Sequence, residues 1–343
     1  MATTTISNDE DYVTAPEPCY FNDNNTFGGY LAILYYFIFF FSVSGNVLVL
    51  VIIYRFERLT TVTNILLLNL VLSSLIFMTS LPFWAVYQQL EYWIFGEVMC
   101  KFVGSIYYLG FYSSVLFLTL LTFDRHLAVV YSLSAPRVRN QCYAVISCAV
   151  VWLVSILVCI KDILLYTTFF SPITNRTYCS GEGEGLDDDT VNQLFESGFY
   201  IQLLLFLIFP LVVVTYCYVR IAITVISSKI VTKFKTVRLI FFIVLLFFVC
   251  WTPYNITLFL KDKFQLTADC EVLKKIDYLH HVTRNLTYLY FCISPIFYTF
   301  VGKKFQNYFR VMLVRRFPRL KKHISVSPQS GTNMSTKSTG NGL

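Results

Sequence analysis

Seven stretches of this chain carry no charged side chain for about the length of a bilayer crossing. They are Gly28–Tyr54, Thr63–Val86, Phe102–Phe123, Tyr143–Ile160, Ser197–Val219, Leu239–Leu260 and Asn285–Val301. A spanning helix needs roughly 17–25 apolar residues. All seven suit that length, the fourth and last with a residue or two from their flanks. Barrel strands would alternate apolar and polar residues, but runs here are continuous, as in Leu203–Phe209. The expected fold is therefore an all-α membrane protein, a seven-helix bundle. Pro82, Pro210, Pro253 and Pro295 mark expected kinks. Composition agrees: 56% of residues are apolar and 14% charged, too few charges to cover a soluble surface without large apolar patches. A secreted disulfide scaffold, a disordered chain and a nucleic-acid binder are excluded.

Charge sets the expected orientation. With the C-terminus placed in the cytoplasm, 19 of the 27 basic residues lie inside, against Glu57 and Asp124 alone of the 20 acidic ones, a net +17. The outside holds 8 basic and 18 acidic residues, a net −10. That is a strong positive-inside signal. No basic region followed by a short apolar stretch opens the chain, so no cleaved leader is expected. Residues 1–27 read as an exported acidic tail, 28–301 as the bundle, and 302–317 as an amphipathic helix on the inner membrane surface. Residues 318–343, rich in Ser, Thr, Gly and Asn from Ser325 on, read as a disordered cytoplasmic tail.

Four of the ten cysteines fall outside: Cys19, Cys100, Cys179 and Cys270. Four allow three pairings, and the compartment favours bridges. Cys100 with Cys179 and Cys19 with Cys270 is the expected set. The other six read as small apolar core residues.

Little catalytic chemistry is available. The four histidines have no metal-binding spacing, and no His-Glu-x-x-His or Gly-x-Ser-x-Gly motif occurs. Asp124 and Asp162 lie at opposite membrane faces, so they cannot form an aspartyl protease dyad. The helix centres are nearly free of charge and no repeat is visible, against a transporter. The last helix has no lysine for a retinal Schiff base. No enzyme, metal or cofactor is expected, which leaves a signal-transducing receptor.

The remaining motifs carry a resemblance. Gly45-Asn46, Asn69-Leu70, Cys100, Asp124-Arg125, Trp152, Pro210 with Tyr218, Cys250-Trp251-Thr252-Pro253-Tyr254, and Pro295 with Tyr298 fall in order on the seven segments. Over nearly its whole length the chain resembles rhodopsin-like G-protein-coupled receptors. Within them it is similar to chemokine receptors, through Ser80-Leu81-Pro82, Trp93-Ile94-Phe95-Gly96, the Cys19/Cys270 pair, the Asp124–Val130 run and Phe300–Phe305. Arg284, where most of that family carries glutamate, and Pro253–Leu260 resemble the XC (lymphotactin) type.

The resemblance implies a plasma-membrane receptor for a basic chemokine, which activates a heterotrimeric G protein in chemotactic signalling. Receptor kinases and arrestin on the Ser/Thr-rich tail, and membrane lipid, are further expected partners; nucleic acid is not. The outer acids Glu182, Glu184, Asp187, Asp188 and Asp189, with Asp9, Glu10, Asp11 and Glu17, either solubilise the surface or steer a cationic ligand; a net −10 favours steering. Tyr12, among acids, is a candidate for sulfation. Asn24 and Asn175 open exposed sequons for glycosylation. Trp84, Tyr107, Tyr108, Tyr254 and Arg284 are expected to receive the ligand. Trp251 beside Pro253 is expected to pivot, and Arg125 to be held by Asp124 at rest and released towards Tyr218. Pro295 and Tyr298 complete the switch. Three departures weigh on signalling: His126 replaces the tyrosine after Asp-Arg, Ser74 an aspartate in helix two, and Ser294 the asparagine before Pro295. Ser74, Ser294, Asn46 and Ser114 are expected to satisfy one another, or a few waters. The alternatives are a decoy that internalises chemokine without G-protein activation, or a receptor for a short peptide.

Overall fold

The computed structural model describes residues 26–56, 61–135, 139–181, 183, 185–228, 234–264, 269–301 and 303–317. In chain order they form α1 (Thr26–Phe56), α2 (Val62–Thr79), α3 (Leu81–Leu90), α4 (Gly96–Val130), α5 (Gln141–Leu165), β1 (Thr167–Ser171), β2 (Arg176–Ser180), α6 (Asp188–Leu203), one π-helical turn (Leu204–Ile208), α7 (Phe209–Ser228), α8 (Phe234–Phe264), α9 (Cys270–Val301) and α10 (Lys303–Arg316). The seven crossings of the bundle are α1, α2 with α3, α4, α5, α6 with α7, α8, and α9. Among the described residues, six of these are long and apolar enough to span a membrane by composition. The seventh, α9, has Glu271, Lys274, Lys275, Asp277 and Arg284 in its first half, which lowers its average hydropathy.

The prolines act where the sequence places them. At Pro82 the second crossing divides, and Ser80 forms the joint: its hydroxyl donates to the Phe77 carbonyl at 2.8 Å. Pro210 cannot donate to the carbonyl four residues back, and the π turn just before it absorbs the register change. Pro253 and Pro295 lie inside α8 and α9. Polar side chains start the helices. Thr61, Asn140 and Asp187 accept the backbone N–H three residues on, and so satisfy an otherwise unpaired donor.

α4 runs through the middle of the bundle, packed on α2, α5 and α7, while α9 packs on α8 and α1. Gly110 lets α4 approach α2 closely: a Cβ there would lie 2.5 Å from the Phe77 Cβ and 2.7 Å from its Cα. The Trp152 indole donates to Asn69 Oδ1 at 2.9 Å and joins α5 to α2. The bundle's outward faces are apolar, as Tyr30, Ile33, Phe37, Ile156 and Val212 show, each more than half exposed. In water such a surface would aggregate; in lipid it matches the solvent.

The β1–β2 hairpin pairs Thr167 with Ser180 and Ser171 with Arg176. Cys100 at the start of α4 is disulfide-bonded to Cys179 in β2. The Trp93 N–H also donates to the Thr177 carbonyl at 2.7 Å. The hairpin is thereby tied down over one end of the bundle.

Candidate functional site

Beneath the hairpin lies a cavity of about 230 Å3, reached by Tyr35, Trp84, Gln88, Tyr166, Arg284 and Tyr288, with Cys179 and His281 at its edge. Three residues singled out from sequence meet here. The Arg284 guanidinium stands 5.4 Å from the ring centre of Trp84 and 5.4 Å from that of Tyr107. Tyr107 continues edge-on into Tyr108 at 5.1 Å. Tyr254 sits deeper, perpendicular to Trp251 and beside His280.

Arg284 makes no ion pair among the described residues, and its Nε is buried without a hydrogen-bond partner. Cation–π contact contributes about 0.5–2 kcal/mol, whereas taking an ion out of water costs several kcal/mol. The two rings therefore do not neutralise it. The Trp84 Nε1 is likewise buried and unpartnered.

Two further residues lie close to these rings. Lys161 and Asp162, at the hairpin end of α5, pair at 2.8 Å, and Asp162 is 3% exposed with Oδ2 unpartnered. Lys161 also lies over the Tyr108 ring. An adjacent Lys-Asp pair closing an apolar run was the available signal. Burial pushes the Tyr166 phenol up; Arg284 acts on it in one direction and Asp162 in the other. A cation on α9 and an acid on α5 thus flank one aromatic floor.

Other expected residues are placed differently. Asp187 caps α6 by accepting from the Thr190 N–H at 2.9 Å, and that contact lowers its carboxyl pKa. It is a structural acid as well as a surface one. Asp188 opens α6, and Asp189 is exposed. Asn175 lies exposed at the hairpin tip with φ 53°. Cys270 is disulfide-bonded. Tyr12, Cys19, Asn24, Glu182 and Glu184 lie outside the described residues.

Between α8 and α9, Lys261 pairs with Asp277 at 3.0 Å and His281 approaches Asp277 at 3.6 Å. The His280 ring stands 5.2 Å from that of Tyr254.

At the opposite end of the bundle one expected contact is replaced by another. Asp124 is fully buried, but Arg139 holds it rather than Arg125: Nε donates to Oδ1 at 2.6 Å and Nη2 to Oδ2 at 2.8 Å. Thr63 adds a third bond at 3.0 Å. A helix directs adjacent residues to different faces, and no hydrogen bond joins Arg125 to its neighbour's carboxylate among the described residues. Its Nε is buried without a partner, and so is the Tyr218 hydroxyl. The two do not bond; Tyr218 packs instead on Val129, Ile221 and Val225.

Ser74 donates to its own helix at the Leu70 carbonyl, and Asn46 to the Ser42 and Phe291 carbonyls. The Ser114 hydroxyl is buried without a partner. Helical hydroxyls reach the carbonyl four residues back more readily than a side chain on another helix.

Midway, Trp251 is 0% exposed and stacked on Phe111 with 3.9 Å between centres. Its carbonyl accepts from Asn255, whose Oδ1 accepts from Gln202 at 2.9 Å. Pro295 lies against Gly45, where a Cβ would meet it at 3.1 Å. Tyr298 falls in α9, with its side chain outside the described residues.

Residues 45–298 match the family described as 7 transmembrane receptor (rhodopsin family). Similar proteins include C-C chemokine receptor type 3 of Cavia porcellus, 34% identical with 94% of this chain and 92% of that protein covered. C-C chemokine receptor type 1 of Homo sapiens is also 34% identical, over 94% and 96%. The chain belongs to the chemokine receptors of the rhodopsin family. C-C chemokine receptor type 4 of Homo sapiens, at 36% identity, covers 87% of this receptor. The family is one of receptors, not enzymes, and its membrane-spanning character agrees with the bundle. The XC subtype is not singled out, since these relatives are of the C-C class.

Proposed function

We propose that this receptor binds a basic chemokine at its hairpin end and activates a heterotrimeric G protein at its Asp124 end. The single observation that carries this reading is an aromatic cavity beneath a disulfide-pinned hairpin, at one end of the bundle that holds Asp124-Arg125 at the other. Charge segregation supports the hairpin end facing outward in the plasma membrane, with the N-terminus outside and the C-terminus in the cytoplasm. The chemokine body rests on the acidic tail and second outer loop, and its flexible N-terminus enters the cavity. Tyr12, the outer acids, Trp84, Tyr107, Tyr108, Tyr254 and Arg284 form the ligand side. Asp124, Arg125, Tyr218, Trp251, Pro253, Pro295 and Tyr298 form the transmission side. Arg284 supports an XC-like subtype. Lys303–Arg316 supplies a lipid-facing basic helix, and the Ser/Thr-rich tail suits receptor kinases and arrestin.

A panel of folded chemokines on receptor-expressing cells tests this, read by calcium and cAMP. At least one basic chemokine should signal. Uptake without either signal would favour the decoy, for which His126, Ser74 and Ser294 speak. Equal potency of an isolated N-terminal peptide would favour a short-peptide receptor.

A further inference from the structure

Two residues that line the cavity beneath the hairpin, Arg284 and Trp84, each hold a buried N–H that lacks an acceptor, at Nε and at Nε1. Both can only donate, and one belongs to a permanent cation. Among the described residues no carboxylate pairs with that cation. Its contacts are ring faces: Trp84 and Tyr107 at 5.4 Å each. Tyr35 and Tyr288, 5.3 Å apart, wall one side, and Tyr166 stands 6.3 Å from Trp84 on another. Buried donors without partners are uncommon in folded proteins and call for an occupant. An ammonium group could use the ring faces but would meet the like charge of Arg284. A carboxylate would meet the fork of a guanidinium, whose planar geometry matches it, with an indole N–H nearby and aromatic walls for the carbon skeleton behind it.

We propose that this cavity is an anion subsite, in which Arg284 with the Trp84 indole binds a carboxylate carried on the flexible end of the receptor's protein ligand. The proposal deepens the chemokine reading and rests on it for the source of the carboxylate. The chemistry of the subsite itself does not depend on which chemokine binds.

The test uses the purified full-length receptor and needs neither chemokine nor G protein, so its failure is separate from failure of the signalling panel. Thermal unfolding is followed with 2-naphthoate and with 2-naphthamide, which has nearly the same shape without the charge. A second pair is the acetylated, amidated tripeptide Gly-Glu-Gly and its Gly-Gln-Gly counterpart. At least one carboxylate should raise the melting midpoint saturably, with its amide at least tenfold weaker. Arg284→Gln should abolish the distinction, and Arg284→Lys should retain part of it. Should Arg284→Gln show no folded transition, Arg284→Met keeps an unbranched stem against Trp84 and takes its place. A preference confined to the peptide pair supports a side-chain carboxylate of a protein ligand. A preference confined to naphthoate supports the anion subsite but overturns the assignment to a protein ligand. The proposal falls if neither carboxylate is distinguished from its amide, or if the distinction survives the loss of Arg284's charge.

Discussion

Arg139 grips Asp124 with two hydrogen bonds, at 2.6 and 2.8 Å, across a gap of 15 residues. The acid of the Asp124-Arg125 pair is thus fastened to the segment leading into α5, and to Thr63 in α2. Arg125 is left beside it with an unpartnered Nε. The Asp124-Arg125 contact expected from sequence is replaced in this structure by Asp124-Arg139.

This arrangement predicts an unequal mutant series. Asp124 is fully buried and Arg139 only partly exposed, so removing either partner should cost about 3–5 kcal/mol. Arg139→Gln and Asp124→Asn should therefore each lower the melting midpoint, and the double variant should cost less than their sum by about 0.5–3 kcal/mol. Arg125→Gln should couple to Asp124→Asn more weakly than Arg139→Gln does. A double-mutant cycle on purified receptor measures both couplings, and a larger coupling to Arg125 would contradict the geometry.

Gly110→Ala should destabilise the bundle by about 1–3 kcal/mol, the range for overpacking. The added Cβ meets Phe77 backbone as well as side chain, so a rotamer change cannot relieve it. Gly29→Ala, whose Cβ would meet nothing within 4 Å, is the control. Melting midpoints of the two variants make the comparison.

Neutralising Glu182, Glu184 and Asp189 to their amides should slow chemokine association at low salt more than it speeds dissociation. Asp187 is best left in place, because it caps α6 and its loss would confound steering with unfolding of the loop. Stopped-flow binding with the agonist from the panel resolves the two rates, and an unchanged association rate would reject steering.

The sequence by itself determined the helical bundle, its kinks and its apolar exterior. Each follows from local rules: uncharged length, proline geometry and the cost of charge in lipid. It also determined that Cys100 and Cys179 could meet, since both close segments at one membrane face. What it could not decide was pairing between side chains on different helices. Asp124 and Arg125 are neighbours in the chain, yet it is Arg139, 15 residues on, that closes on the acid. Ser74 and Asn46 looked like mutual partners, but backbone carbonyls were nearer. Arg284 was legible as an unusual cation; that it stands unpaired between Trp84 and Tyr107 was not. Helix rotation and crossing fix which donors meet acceptors, and those depend on the packing of the whole bundle, with Gly110 against Phe77 at its centre.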